Sequence, residues 1–360
     1  MREKVSCGCS KAPGPELQDM SRSRKPWIVG NLLVQGRSVP VVSTRLDRQD
    51  EWGSVKVRWH IGRDRYAVTP GLYATGTPTP ESPVLVTANY KLSFDTLRKN
   101  LQGLDTWILV LDTKGINVWC AAGKGTFGTR ELEERIMKVK LEELVSHRTL
   151  ILPQLGAPGV SSPDVKRATG WTVRYGPVRA EDIPAYLKAG QRKNDAMREV
   201  HFLLPDRMAV APVQLVQAWP VLPAVLAVSM LFALPITYGY GARFFSFFIP
   251  LVGGLPVAAF FFPALLPYLP FRAFALKGAV LGFVWGAASA LVSGASLVHD
   301  VGVVLLVMPM VAFIAMTFTG SSTFTSQPGA ALEVRRGVFP MAASLFLGLG
   351  FSIVARIFTA

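Results

Sequence analysis

The chain has few cysteines and, over its C-terminal part, very few charges. Only Cys7, Cys9 and Cys120 occur among its 360 residues, so we exclude a disulfide framework and expect a reducing compartment. Half of the residues of the chain are hydrophobic, a fraction that excludes a disordered or fibrous chain. The charges are unevenly distributed, because residues 208–360 carry only 6 of the 38 Lys and Arg and 2 of the 24 Asp and Glu. They indicate a basic soluble half followed by a membrane domain.

Five apolar runs have the length of about 20 residues that crosses a bilayer. No charged residue lies in their interior, which disfavours an ion or proton transporter and favours an anchor. We therefore predict an all-α transmembrane domain of five helices over residues 220–360. The predicted spans are Val221–Tyr238, Phe244–Phe262, Leu276–Ala295, Val301–Phe318 and Val338–Phe358.

The positions of Lys and Arg predict how the membrane domain is oriented. Arg272 with Lys277, and Arg335 with Arg336, lie on the side of the soluble half, whereas Arg243 lies on the other side. We expect a multi-pass protein of the cytoplasmic (inner) membrane, with its N-terminus and soluble domain in the cytoplasm and its C-terminus outside. Residues 1–25 lack the apolar core of a cleavable signal peptide, and no nucleic-acid partner is expected.

The soluble half alternates strand-like and helix-like segments, which is typical of an α/β sheet wound on both faces. Residues 1–26 are predicted to be a disordered basic tail, 27–190 a Rossmann-like domain and 191–219 a linker. Short β-like runs, such as Val55–Ile61, are predicted between Trp27 and Asp64. The strands predicted after them are Val84–Ala88, Trp107–Asp112, Thr149–Leu152 and Trp171–Tyr175, and Asn117–Ala121 is predicted to be a short strand or the end of one. The predicted helices are Ser93–Gln102 (capped by Ser93), Thr129–Leu144, Ser162–Thr169 and Ala180–Lys188. Ligands of such sheets bind at the carboxyl ends of the strands.

One segment at such a strand end combines glycines with a cysteine. Gly123, Gly125 and Gly128 match G-x-G-x-x-G, but no carboxylate follows the next strand as a dinucleotide site requires. The match therefore supports only an alternative, a membrane-tethered nucleotide-binding sensor. Cys120 is the only cysteine of the predicted folded soluble domain, and spacing alone leaves open a buried, inert thiol or a functional one. Cys7 and Cys9 could hold a soft metal or be incidental.

The eight residues Asn117-Val-Trp-Cys-Ala-Ala-Gly-Lys124 resemble the signature of the corrinoid protein of microbial, anaerobic mercury methylation. Four further blocks, Arg65–Tyr73, Ser82–Ser93, Pro153–Gly159 and Gly176–Val178, resemble the corrinoid domain of the large subunit of the corrinoid iron–sulfur protein. The resemblance implies a cobalamin-type corrinoid whose cobalt takes the Cys120 thiolate as its lower axial ligand. The remaining implied cofactor contacts are Thr87, Asn89, Tyr90, Ser93, Asn117, Val118, Trp119, Ala121, Ala122, Gly123, Lys124, Gln154, Leu155, Gly156, Gly159, Gly176, Pro177 and Val178.

The resemblance also implies the chemistry and the partners. A strongly donating sulfur opposite the methyl group would favour its delivery to Hg(II) as a carbanion or radical, because the axial ligand tunes a cofactor metal. The implied partners are a ferredoxin-like protein with two [4Fe–4S] clusters and a folate-linked methyl donor system. We therefore expect a corrinoid-dependent methyltransferase that forms methylmercury from Hg(II). The alternative is a methyl-carrier corrinoid protein of one-carbon (acetyl-CoA pathway) metabolism.

Overall fold

A computed structural model describes residues 25–234, 239–321 and 327–358. The predicted tail, with Cys7 and Cys9, lies outside the described residues. The chain divides into two compact units. The first contains the residues up to Glu51 together with Tyr66–Arg198, and the second contains Trp52–Arg65 together with Glu199 onwards. Trp52–Arg65 therefore groups with the C-terminal helices, whereas the sequence placed it in the 27–190 domain.

The first unit is built on a sheet that has seven strands within the described residues. The strands are β1 Ile28–Val34, β2 Arg37–Val42, β3 Gly71–Thr75, β4 Val84–Ala88, β5 Thr106–Leu111, β6 Thr149–Leu152 and β7 Thr172–Tyr175. They lie side by side in the order β1-β2-β3-β5-β4-β6-β7. β5, β4, β6 and β7 are mutually parallel, but β1 pairs antiparallel with β2, and β3 pairs antiparallel with β5. The sheet is thus mixed, and only its β5-β4-β6-β7 part matches the predicted parallel arrangement.

Both faces of the central strands are buried. Val84 and Val86 of β4 belong to one hydrophobic cluster, whereas Leu85, between them, belongs to a second cluster with Ile108 of β5. Every residue of β4 and β5 is buried, which is typical of strands covered by helices on both faces. α1 (Arg48–Arg58) begins in the first unit and continues into the Trp52–Arg65 segment of the second. The other helices of the first unit are α2 Lys91–Lys99, α3 Val118–Lys124, α4 Thr129–Lys138, α5 Ser162–Thr169 and α6 Ile183–Lys188.

Two segments that the sequence assigned to strands are helical. Val55–Ile61 was read as β-like because apolar residues alternate there, yet Val55 lies inside α1 and only Val57 is fully buried. α1 begins where Asp47 and Asp50 exchange side-chain-to-backbone hydrogen bonds of 2.7 and 3.2 Å, which is a capping box. Asn117–Ala121 is likewise not a strand, because Asn117 caps α3.

Smaller differences concern where helices begin and end. The helix predicted to begin at Ser93 begins at Lys91. Its N-cap position is therefore occupied by Tyr90 and not by Ser93. The helix predicted as Thr129–Leu144 ends at Lys138, and a separate 3-10 turn follows at Leu141–Glu143. The segment predicted as one helix over Ala180–Lys188 begins with a 3-10 turn at Ala180–Asp182.

The second unit is helical, and several of its helices are long and apolar. Its helices are α7 Leu204–Met208, α8 Ala211–Gln217, α9 Val221–Ala233, α10 Tyr240–Pro256, α11 Phe262–Leu265, α12 Phe274–Ser293, α13 Leu297–Thr317 and α14 Gln327–Phe358. Among the described residues, four stretches could cross a membrane by length and composition. A fifth exists only if Leu204–Gln217 and Val221–Ala233, which meet at 55°, count as one bent span. The predicted linker 191–219 therefore contains helices.

Candidate functional site

The carboxyl ends of β4, β5, β6 and β7 lie at one edge of the sheet, because these four strands are parallel. We call this the carboxyl edge. The segments that leave it are Asn89–Tyr90, Asp112–Asn117, Pro153–Gly159 and Gly176–Val178. These segments contain most of the residues that the sequence singled out, and a ligand of such a sheet is expected at this edge.

Cys120 lies in the first turn of α3, which leaves the carboxyl edge after β5. The Asn117 side chain accepts a hydrogen bond of 2.9 Å from the Cys120 backbone amide and so caps the helix. Ala121 and Ala122 form the buried side of α3, whereas Cys120 is half-buried and Trp119 is 38% exposed. The thiol is therefore neither exposed fully nor sealed in the core.

The carboxyl edge offers a metal one sulfur ligand, that of Cys120. Among the described residues, no group of three or more His, Cys, Asp or Glu side chains could hold a metal ion by itself. A single accessible sulfur suits a metal whose other ligands come from a macrocycle, as in haem proteins with a Cys ligand. The Cys120 environment is therefore compatible with the corrinoid that the resemblance implies.

Asn89, at the end of β4, holds the segment that leads into α3. Its Oδ1 accepts hydrogen bonds from the Thr113 amide (3.1 Å), the Thr113 hydroxyl (2.9 Å) and the Gly115 amide (2.9 Å). Its Nδ2 lies 3.4 Å from Asp112 Oδ1. The Thr113 hydroxyl is also 2.6 Å from the Ile116 carbonyl, and its single proton serves one acceptor at a time. Asn89 is therefore a positioning residue for α3, since its side chain is occupied by protein groups.

Asp112, immediately after β5, is a charged residue of the carboxyl edge that the sequence did not single out. Burial alone would raise the pKa of its carboxyl, but hydrogen bonds from the Lys114 side chain and amide prevail, and the pKa lies below its ordinary value. The Asp112 amide donates to Glu131 of α4 at 2.8 Å. Glu131 is in turn paired with Arg135 at 2.7 Å. An ionised carboxylate thus stays at the edge beside the Cys120 helix.

The glycines of the loop after β6 are explained by close packing. A Cβ on Gly159 would lie 2.1 Å from the Phe127 carbonyl oxygen and 2.9 Å from Ala122 Cα. A Cβ on Gly156 would lie 2.5 Å from the Phe127 ring. These glycines let the loop approach the C-terminal end of α3, so they position Cys120 whether or not they also contact a cofactor.

Lys193 is a second residue that sequence reasoning missed. Its ammonium group donates to the Gln154 side chain and lies 3.3 Å from the Gly176 carbonyl oxygen, so it joins the loops after β6 and β7. Burial, with a smaller effect from Arg198, lowers the pKa of the Lys193 side chain. It escaped notice because it lies beyond α6, in a basic segment interpreted as the beginning of a linker.

The other predicted contacts divide by burial. Some side chains are half-buried or exposed and could reach a ligand: those of Ser93, Val118, Trp119, Lys124, Gln154, Leu155 and Val178. The backbone of Gly123 is also exposed. Thr87, Tyr90 and Pro177 are buried, as are Asn89, Ala121, Ala122, Gly156 and Gly176. For these buried residues, direct contact with a cofactor stays a prediction.

The G-x-G-x-x-G match does not have the surroundings of a dinucleotide-binding loop. That fingerprint joins a strand to a helix, whereas Gly123–Gly128 joins the end of α3 to the beginning of α4. Gly125 ends α3 with φ +78, a conformation that favours glycine. A Cβ on Gly128 would lie 2.7 Å from the Gly125 carbonyl oxygen. Helix termination explains Gly125 and close packing explains Gly128, and the match lacks the strand-to-helix position of a dinucleotide loop, which removes the support for the nucleotide-sensor alternative.

Comparisons with known proteins match the part of the chain that contains β3 to β7. Residues 62–187 match the family model described as CO dehydrogenase/acetyl-CoA synthase delta subunit. The chain is 36% identical over 128 residues to the acetyl-CoA decarbonylase/synthase complex subunit gamma of Methanopyrus kandleri, which covers 35% of this chain and 27% of that protein. The subunit of the same name from Archaeoglobus fulgidus is 29% identical over 178 residues, 48% of this chain and 37% of that protein.

The similarity is confined to part of each protein. The chain covers little more than a third of the Archaeoglobus fulgidus relative and about a quarter of the Methanopyrus kandleri relative. The family match includes every segment of the carboxyl edge named above, but neither Lys193 nor any helix from α7 onwards. The relatives therefore bear on the first unit.

Proposed function

We propose that the first unit binds a corrinoid at the carboxyl edge and that the chain is a membrane-anchored, corrinoid-dependent methyl-transfer protein. The observation that carries the proposal is the half-buried Cys120 on a capped helix at the edge of a sheet whose sequence matches the CO dehydrogenase/acetyl-CoA synthase delta family. When bound, the corrinoid supplies a cobalt-held methyl group. Cys120 sulfur would ligate the cobalt from α3.

The chain's own residues would hold that sulfur in place. Asn117 fixes the first turn of α3 through the Cys120 amide, and Asn89 fixes the segment before it. Asp112 keeps a negative charge beside the site, while Lys193 ties together the two loops on the other side of the edge. Such supporting interactions determine how well a ligand is oriented toward its metal.

Two acceptors of the methyl group are candidates, and different observations favour them. The relatives are named as subunits of acetyl-CoA decarbonylase/synthase complexes, which favours methyl carriage in one-carbon metabolism. The comparisons contain nothing on mercury. Hg(II) is favoured by the segment Asn117–Lys124, which resembles the mercury-methylating signature and provides one thiol. A folate-linked donor and a ferredoxin-like partner belong to both versions of the proposal.

The membrane part of the proposal rests on the four long apolar helices and the bent pair. With Arg272, Lys277, Arg335 and Arg336 on one side, we propose insertion in the cytoplasmic membrane, with the first unit in the cytoplasm.

The test uses the full chain purified from corrinoid-supplied cells, as wild type and as Cys120→Ala. We expect wild type to contain about one cobalt per chain and an absorbance spectrum of sulfur-ligated cobalt, and the variant to lose the sulfur ligation. Wild type without cobalt would refute corrinoid binding. Incubation with methyl-tetrahydrofolate, a ferredoxin-like reductant and HgCl2 then separates the acceptors. Methylmercury that depends on Cys120 supports Hg(II), and donor consumption without methylmercury supports one-carbon carriage.

A further inference from the structure

The segment Trp52–Arg65 of the second unit, which contains most of α1, has an exposed apolar face. Trp52, Val55 and Trp59 recur at the spacing of one helix face, and they are 60%, 40% and 40% exposed. Ile61, in the turn that follows, is 62% exposed. We call these four residues, with Lys56 between them, the tryptophan face. Large apolar side chains grouped in this way on a surface mark an interaction site.

The tryptophan face is held rigidly. Val57, on the opposite side of α1, is fully buried and fixes the helix. The helix ends with His60 in the left-handed conformation, φ +63, and with the Ile61 amide donating to the Lys56 carbonyl oxygen at 2.9 Å. This pattern is a Schellman-type termination, and it places Ile61 just beyond the final turn. The apolar surface is therefore organised before any partner arrives.

The surroundings of the face are basic. Between Arg48 and Arg65 the sequence has five Lys or Arg and three Asp or Glu. One of the acidic residues, Asp50, is buried in ion pairs with Lys91 and Arg98, so it does not contribute at the surface. The Lys56 ammonium group lies 6.0 Å from the Trp52 ring centroid, so a cation sits beside the aromatic surface.

We propose that the tryptophan face lies in the headgroup layer of an anionic bilayer. Trp is enriched at membrane–water interfaces, where its ring meets lipid and its N–H meets polar groups, and flanking Lys and Arg attract anionic lipids. Trp52–Arg65 also belongs to the same compact unit as the helices that are long enough to cross a membrane. The inference rests on the proposed membrane insertion and adds an interfacial contact outside the spans.

The experiment measures tryptophan fluorescence of the full chain in lipid nanodiscs. The discs contain phosphatidylcholine and phosphatidylglycerol, with bromine near the headgroup (shallow quencher) or near the chain end (deep quencher). We expect Trp52→Phe/Trp59→Phe to lose a large part of the shallow quenching and to keep the deep quenching. Trp285→Phe, in α12, is the control for depth: it is expected to reduce deep quenching.

The arms distinguish failure of the inference from failure of membrane insertion. Shallow quenching that is unchanged in the double variant, while deep quenching is present, would overturn the tryptophan face as a lipid contact and leave a protein partner as its occupant. An absence of all lipid quenching would overturn insertion and the inference together. Phosphatidylglycerol is expected to increase the shallow quenching of wild type but not of Lys56→Gln/Arg58→Gln, and an equal response of both would contradict the charge argument.

Discussion

Asn89→Ala tests how the segment before α3 is held. The substitution removes an oxygen that accepts from the Thr113 and Gly115 amides and from the Thr113 hydroxyl. The hydroxyl keeps the Ile116 carbonyl as an acceptor, so two backbone hydrogen bonds are lost. At about 0.5–1.5 kcal/mol each, the segment is expected to become about 1–3 kcal/mol easier to open.

Hydrogen–deuterium exchange of the full chain measures this opening directly. Since about 1.4 kcal/mol corresponds to a factor of ten, peptides covering residues 112–117 are expected to exchange roughly 5- to 150-fold faster in Asn89→Ala. Asn100→Ala is the matched control, because the Asn100 amide group donates only to the Thr96 carbonyl oxygen on the exposed side of α2. Wild-type exchange of residues 112–117 in Asn89→Ala would refute the role of Asn89 as a positioning residue.

Three further substitutions test a helix cap, a buried ion pair and a close packing contact of the first unit. Asn117→Ala is expected to weaken α3 by about 1 kcal/mol and Asn117→Asp to preserve it; equal exchange rates of α3 amides in both would contradict the cap. Asp50→Asn leaves the fully buried Arg98 without one of its carboxylates and is expected to cost about 3–5 kcal/mol at neutral pH. Burial raises the pKa of Asp50 but ion pairing lowers it below its ordinary value, so this stability is present above about pH 4 and lost as pH falls through the lowered pKa. Denaturant unfolding should therefore show wild type and Asp50→Asn converging in acid, and a constant difference would be the contrary result. Gly159→Ala is expected to cost about 1–3 kcal/mol or more by overpacking, whereas Gly30→Ala, with open space at its Cβ, should leave the thermal midpoint nearly unchanged; equal midpoints would count against the packing argument.

The strands and helices predicted best are those in which local pattern and burial agree. Val84–Ala88, Thr149–Leu152 and Ser162–Thr169 have the predicted bounds, because the strands are mostly apolar and buried, while the helix begins with Ser-Pro and is followed by Gly170. The antiparallel pairing of β1 with β2 and of β3 with β5 was not predicted, since sequence pattern does not reveal which strands pair. Periodicity misled at Val55–Ile61, where the alternating residues are mostly exposed on a helix.

The site was predicted in part for a similar reason. Resemblance indicated Cys120 and the loops at the strand ends, and the parallel strands bring those loops to one edge. Asp112 and Lys193 were missed because their side chains contact residues distant in sequence, Asn89 and Gln154 respectively, and such a partner cannot be read from composition. The buried Asn89 side chain holds the segment before α3, and its contact with a cofactor stays a prediction.

Cobalt X-ray absorption of the purified full chain tests the central claim most directly, with Cys120→Ala as the comparison. The account expects a cobalt–sulfur scattering path in wild type that is absent from Cys120→Ala. Cobalt without a sulfur neighbour in wild type, or the same sulfur signal in Cys120→Ala, would contradict it.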